Sequence, residues 1–211
     1  MKTTTFILSL LLTMAAMNVN ALKPIKLNAP DKSRGTTVMK ALSDRKSTRD
    51  FSPKDLSMKD LSDLLWAANG INRTDGKRTA PSAMNVQEVD IYVIMAKGAY
   101  RYDAKLNTLD PIAEGDYREA VASRQDFAKA APVSLVLVSD LSRYKRVDDK
   151  SKQFAAADAG MVCQNINIFC AAAGLVTVPR ATMDEKKLTE VLMLTSNQVL
   201  ELNNPVGYPK K

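Results

Sequence analysis

The chain has 211 residues, 30 Lys and Arg against 23 Asp and Glu for a net charge of +7, two cysteines and no histidine. Without histidine there is no Ser-His-Asp or Cys-His nucleophile and no H-E-x-x-H zinc site, and two cysteines cannot form a four-cysteine zinc site, so any chemistry is expected to come from a cofactor. The positive balance suits an anionic ligand, an acidic partner or plain solubility; acids are interspersed with the bases and no aromatic-basic repeat occurs, so nucleic acid is not an expected partner.

Residues Met1 to Ala21 read as a signal peptide: Lys2, an apolar block from Phe6 to Met17 that is too short to span a bilayer, then Val19-Asn20-Ala21. The expectation is an exported, periplasmic or secreted protein whose mature part, 22–211, is one domain. The residue directly after the cleavage point is Leu22 and not a cysteine, so no stable membrane anchor is expected. Leu22 to Gly35 lacks a period and reads as an extended lead-in. Thr36 to Asp44 puts Val38, Met39, Ala41 and Leu42 on one helical face and runs into Arg45-Lys46-Ser47-Thr48-Arg49, where cations alternate with hydroxyls.

The next helix has Ser57 as N-cap, Asp60 three residues on, Leu61, Leu64, Leu65 and Ala68 at helical spacing, and Gly70 as the C′ glycine. A second basic loop, Asn72 to Arg78, leads into Arg78-Thr79-Ala80-Pro81-Ser82-Ala83-Met84-Asn85-Val86-Gln87. Pro81 holds Ala80 extended, while Ser82, Asn85 and Gln87 offer polar groups that either cap their own turn or hold a ligand. Val89 to Met95 alternates as a strand, Lys97-Gly98 is a turn, Tyr100 to Tyr102 a paired strand and Leu106 to Leu109 a third. Asp116 to Ala130 reads as one helix and Val133 to Val138 as a buried central strand.

Lys150 to Ala173 is the longest helix, apolar on nearly all sides after Phe154 and closed by Gly174, which calls for cover such as a partner subunit. Cys163 and Cys170, about 10 Å apart along its axis, are beyond disulfide reach and read as core thiols. Leu175 to Val178, a helix from Met183 to Leu194 and a strand from Gln198 to Leu202 precede Pro205-Val206-Gly207-Tyr208-Pro209-Lys210-Lys211.

Five pieces in this order carry a resemblance: Arg45-Lys46-Ser47-Thr48-Arg49-Asp50-Phe51; Leu64-Leu65-Trp66-Ala67-Ala68-Asn69-Gly70-Ile71-Asn72-Arg73; Arg78 to Gln87; Arg124-Gln125-Asp126-Phe127 ahead of Ala131-Pro132; and Ala173-Gly174-Leu175 ahead of Pro179. From about Val38 to Tyr208 the chain resembles the nitroreductase family of FMN-dependent flavoproteins. The resemblance implies an α+β fold, a central mainly antiparallel sheet flanked by helices, in an intertwined homodimer with one FMN at each of two shared sites. It implies that Arg45 and Ser47, with Lys46 beside them, take the phosphate and ribityl chain, and that Arg49 tunes the flavin at N1 and O2. By the same resemblance Pro81, Ser82, Ala83, Asn85 and Gln87 would form the loop lent across the dimer, and Gln125 would meet the pyrimidine edge. It also implies that Arg180, Ala181 and Thr182 border the cofactor, with the Ala181 backbone N–H near N5.

Relatives often carry Glu-Gly where Arg180-Ala181-Thr182 stands, which leaves the N5 contact and the substrate pocket open. Lys210 or Lys211, and Arg73, Lys77 and Arg78, are further phosphate candidates. The implied activity is ping-pong hydride transfer through FMN from a reduced small-molecule donor such as NAD(P)H to a nitroaromatic, quinone or similar acceptor, with no catalytic side chain singled out. A flavin-binding or scavenging protein with little turnover is the alternative.

Overall fold

Strand β2 (Val89–Met95) sets the architecture, because both of its faces are apolar. Val89, Ile91 and Val93 point to one side of the sheet together with Leu135 and Leu137 of β5 (Val133–Asp140), while Tyr92 and Ile94 point to the other with Val136 and Val138. A strand buried on both faces needs a helical layer on each. In the computed structural model, which describes residues 22–210, those layers are present; the expected signal peptide and Lys211 lie outside the described residues.

The sheet has seven strands, ordered β1-β4-β3-β2-β5-β7-β6, and every neighbouring pair is antiparallel. The remaining strands are β1 (Ile25–Lys26), β3 (Gly98–Asp103), β4 (Thr108–Glu114), β6 (Val176–Thr177) and β7 (Gln198–Gly207). On the first face lie α2 (Met58–Asn69), through Leu61, Leu64, Leu65 and Ala68, and α4 (Asp149–Ala173), through Ala159, Val162, Cys163, Ile166 and Cys170. On the second lie α3 (Arg118–Ala122) and α5 (Glu185–Val191), through Val121 and Leu188. The α+β expectation with an antiparallel sheet therefore stands. No helix among the described residues is long and apolar enough to cross a membrane.

Several local expectations change. Gly70 is extended (φ −76°, ψ 163°), not left-handed, and is required for space: a Cβ there would lie 2.5 Å from Trp66 Cδ1 and 2.7 Å from Trp66 backbone atoms. The single helix expected over Asp116–Ala130 breaks at Ser123 (φ 52°), giving α3 and then a 3-10 turn over Asp126–Ala130. The break has a cause elsewhere in the chain. At the end of α3 the buried Arg180 guanidinium donates to Val121 O at 3.0 Å and to Ala122 O at 2.8 Å, the latter also accepting the Gln125 N–H at 3.0 Å.

Strand β7 runs five residues beyond the expected Leu202. Asn203-Asn204-Pro205 carries turn residues, yet Asn203 and Asn204 are fully buried. Their amides are bonded to Arg180, Asn167 and Thr177, which offsets the cost of burying them. Strand β4 likewise begins near the expected place but continues through Pro111, opposite an irregularity at Ala99 and Tyr100 of β3. Helix α5 is shorter than Met183–Leu194, beginning after its cap Asp184, whose side chain accepts from the Lys187 N–H.

Candidate functional site

The segment Arg45–Arg49 leaves α1 (Val38–Asp44) as an extended strip fastened to the sheet edge. Ser47 bridges Thr177 in parallel and the Thr48 N–H donates to Thr177 O at 3.0 Å. Backbone bonding to β6 fixes the strip while its side chains stay in solvent: Arg45, Lys46, Ser47 and Arg49 are all exposed. None of its three cations forms an ion pair among the described residues. Beside the strip, Phe127 from the 3-10 turn after α3 carries two guanidiniums, Arg49 at 5.8 Å and Arg180 at 5.5 Å from the ring centre.

The two arginines differ in how their donors are used. Arg180 is 6% exposed and bonds Gln125 Oε1 (2.8 Å), Asn203 Oδ1 (2.7 Å) and the two α3 carbonyls. Its guanidinium is a structural tie, so the expected cofactor contact at Arg180 does not come from its side chain. The tie instead fixes Gln125. Arg Nε can only donate, so the oxygen of the Gln125 amide must face it, and the Nε2 donors have no acceptor among the described residues. Ala181 and Thr182 are exposed, and the Ala181 N–H has no hydrogen-bond partner among the described residues. Arg49 and Gln125 thus meet around Phe127 and Arg180 with Ala181 next along the chain, and Arg45, Lys46 and Ser47 lie on the adjoining strip.

The loop Pro81–Gln87 belongs to a different region. Met84, Asn85 and Gln87 have φ of 53°, 56° and 55°. Left-handed non-glycine residues cost about 1–3 kcal/mol each unless the surroundings hold them, and such strain gathers at functional loops. The holding bonds are visible: Asp158 Oδ2 accepts the Ala83 N–H at 2.7 Å, Ser82 Oγ accepts the Gln87 N–H at 2.9 Å, and Gln87 Oε1 accepts from Arg78 Nε at 3.1 Å. Below the loop Glu88 is fully buried, and burial beside Asp158 pushes its carboxyl up to about 7. Glu88 and Asp158 were not singled out from sequence; the signal available was a lone acid within the apolar stretch of α4.

Within one chain the two regions are apart. The loop is anchored at Asp158 of α4 beside a groove of about 750 Å³ lined by Met84, Asn85, Tyr144 and Phe154. The Arg45–Arg49 strip flanks a cleft of about 200 Å³ lined by Lys46, Thr48, Cys170 and Gly174 at the other end of α4. Twelve residues of helix separate Asp158 from Cys170, roughly 18 Å at 1.5 Å per residue.

The remaining phosphate candidates are otherwise occupied. Lys77 pairs with Asp75, Arg78 bonds Gln87 and Asn69 O, and Arg73 donates to Arg78 O, so this loop satisfies itself. Lys210 lies 3.5 Å from Asp50, beside the strip. Cys163 and Cys170 are buried free thiols, as expected, with burial pushing Cys163 up to about 11 and Cys170 higher still.

A family model described as the nitroreductase family matches residues 42–208. The chain belongs to the nitroreductase family. A protein of Methanocaldococcus jannaschii named for nitroreductase is 27% identical over 173 residues, covering 77% of this chain and 86% of that protein. A crystal structure from Ralstonia eutropha JMP134, also named for nitroreductase, is 36% identical, has a TM-score of 0.84, and covers 90% of this chain and 93% of its own. An FMN-dependent nitroreductase from Clostridium difficile R20291 shares the fold at 16% identity, with a TM-score of 0.59 over 82% of this chain and 88% of its own. The protein is accordingly a nitroreductase-type oxidoreductase, of a family that usually binds FMN.

Proposed function

We propose that this nitroreductase is an exported homodimer that binds FMN between subunits and passes electrons from a reduced donor such as NAD(P)H to a nitroaromatic, quinone or similar acceptor. The observation that carries the proposal is a set of donors without partners among the described residues: exposed cations at Arg45, Lys46 and Arg49, the Gln125 Nε2 and the Ala181 N–H. A planar, carbonyl-bearing ring attached to a phosphate matches that donor set in charge and in hydrogen-bonding sense. Arg45, Lys46 and Ser47 would hold the phosphate and ribityl chain, and the Gln125 amide would donate to a ring carbonyl. Arg49, kept in place over Phe127, would supply fixed positive charge to the ring. Bound FMN would supply the two-electron chemistry, so the absence of histidine is no obstacle.

The roughly 18 Å of α4 between Asp158, which anchors the loop, and Cys170, which lines the cleft beside the strip, supports a two-chain site. A two-fold axis near the middle of α4 would bring one copy's loop to the other's strip. The face of α4 that this chain leaves exposed suits such contact, since Ala156, Ala157 and Met161 lie on it, and Val38, Met39 and Leu42 of α1 are exposed nearby. Opposite that strip, a partner's loop would exclude water from the ring.

The test is whether the purified protein is yellow, elutes as a dimer and takes up FMN, with stopped-flow reduction by NADH or NADPH and reoxidation by a nitro compound. A colourless monomer indifferent to added FMN would end the proposal. The reading of Met1–Ala21 as an export segment favours a second one, a flavin-scavenging protein, because reduced nicotinamide is scarce outside the cytoplasm. Bound flavin that no donor reduces would select it.

A further inference from the structure

The acids beneath the Pro81–Gln87 loop have no part in the reading above. Glu88 is fully buried between the loop and β2. Tyr144 donates its hydroxyl to Glu88 Oε1 at 3.0 Å, and Glu88 Oε2 has no hydrogen-bond donor facing it. A second buried carboxyl, that of Asp158 on α4, is 3% exposed, accepts the Ala83 N–H through Oδ2 and is near enough to raise the Glu88 carboxyl. Two buried carboxylates side by side repel one another, and an acceptor without a donor costs about 1–3 kcal/mol. One proton placed between them removes both costs.

We propose that Glu88 and Asp158 are positioning residues that share one proton, and that this proton keeps Asp158 in place to hold Ala83 and the strained Met84–Gln87 turn. The charged and titratable groups around the pair fit this assignment. Tyr144 approaches Glu88 after the 3-10 turn that follows β5, Glu201 of β7 adds negative potential at Tyr144, and the cations Arg78 and Arg143 are bonded to Gln87 and Asp90 and not to Glu88. Burial holds the Glu88 carboxyl at about 7, so the shared proton is present in mildly acidic solution and leaves as the medium turns alkaline. Its loss frees the loop without unfolding the sheet.

This inference deepens the proposed site, since the loop is the part lent to the partner, but the test does not depend on flavin. Amide hydrogen exchange of residues 83–87 is measured on the full protein between about pH 6 and 8, corrected for base catalysis, with β5 amides as the control. The expected result is at least a roughly tenfold loss of protection at the loop across that window, and none at β5. Glu88→Gln, whose neutral amide donates to Asp158 at every pH, should keep the loop protected throughout. A loop profile in Glu88→Gln that matches the native protein would overturn the proposal, as would a flat native profile.

Should Glu88→Gln fail to fold, the carbon-13 carboxyl titration of native Glu88 decides. A midpoint near 7 supports the shared proton, and one below about 5 excludes it. Flat exchange in a protein that binds FMN would sink this inference alone, whereas the expected exchange in a protein that ignores FMN would sink only the proposed function.

Discussion

Two basic loops flank α2, and they look alike on paper. Arg45-Lys46-Ser47-Thr48-Arg49 and Arg73-Thr74-Asp75-Gly76-Lys77-Arg78 each carry three cations within six residues. In the structure they are opposites. The second loop uses its own charges, Lys77 on Asp75, Arg78 on Gln87 and the Asn69 carbonyl, and Arg73 on the Arg78 carbonyl. The first is fixed through its backbone to Thr177 and leaves its guanidiniums uncommitted. Density of charge does not mark a ligand site; donors held in place and left without partners do.

The strongest challenge to this contrast comes from the most committed cation of all. Arg180→Ala would strip donors from Val121 O, Ala122 O, Gln125 and Asn203 together, and is expected to cost about 3–5 kcal/mol of stability. In a thermal melt that is a drop on the order of 10 °C, with Lys a poor replacement because it lacks the planar fork. A variant that melts within a degree or two of the native protein would mean the arginine is not a tie.

Next in size is the buried acid. Glu88 is raised from 4.5 to about 7 in the folded chain, so its contribution to stability is fully present below pH 4.5 and is lost as the pH rises through about 7, roughly 3 kcal/mol in all. Urea denaturation at a series of pH values should show this decline, and Glu88→Gln should remove it. Arg45→Ala should leave the melt unchanged and weaken FMN binding by roughly 10- to 150-fold, the equivalent of 1.5–3 kcal/mol for a charge-assisted bond. Flavin fluorescence quenching reads this directly. Smallest of all is Arg73→Ala, exposed and bonded only within its loop, for which FMN affinity should move by less than about twofold and stability by less than about 0.5 kcal/mol. If Arg73 and Arg45 behaved alike, the distinction between the loops would fail.

Much of this architecture could be read from residues whose neighbours in sequence decide their state. Ser57 capping α2, the strand β2, the buried β5 and Gly174 closing α4 are local signals, and each was legible, although the alternation of β2 did not reveal that both its faces are buried. The elements read wrongly depend on partners far along the chain. The break at Ser123 makes sense only once Arg180 is seen to donate to Val121 O and Ala122 O, and Asn203-Asn204 looks like a turn until Arg180, Asn167 and Thr177 satisfy the two amides. Of the candidate site, the basic strip, the Gln125 amide and the Pro81–Gln87 loop stand out in the sequence as residue types. Which of their donors remain unused does not, because that is a property of the folded hydrogen-bond network.

The position of Arg180 also limits how this protein can diversify. Its guanidinium is locked into the joint between α3 and β7, so this residue cannot change without loosening the framework. Adaptation at this wall is left to the exposed neighbours Ala181 and Thr182. Selection for a new acceptor should therefore enrich changes at Thr182 long before any at Arg180.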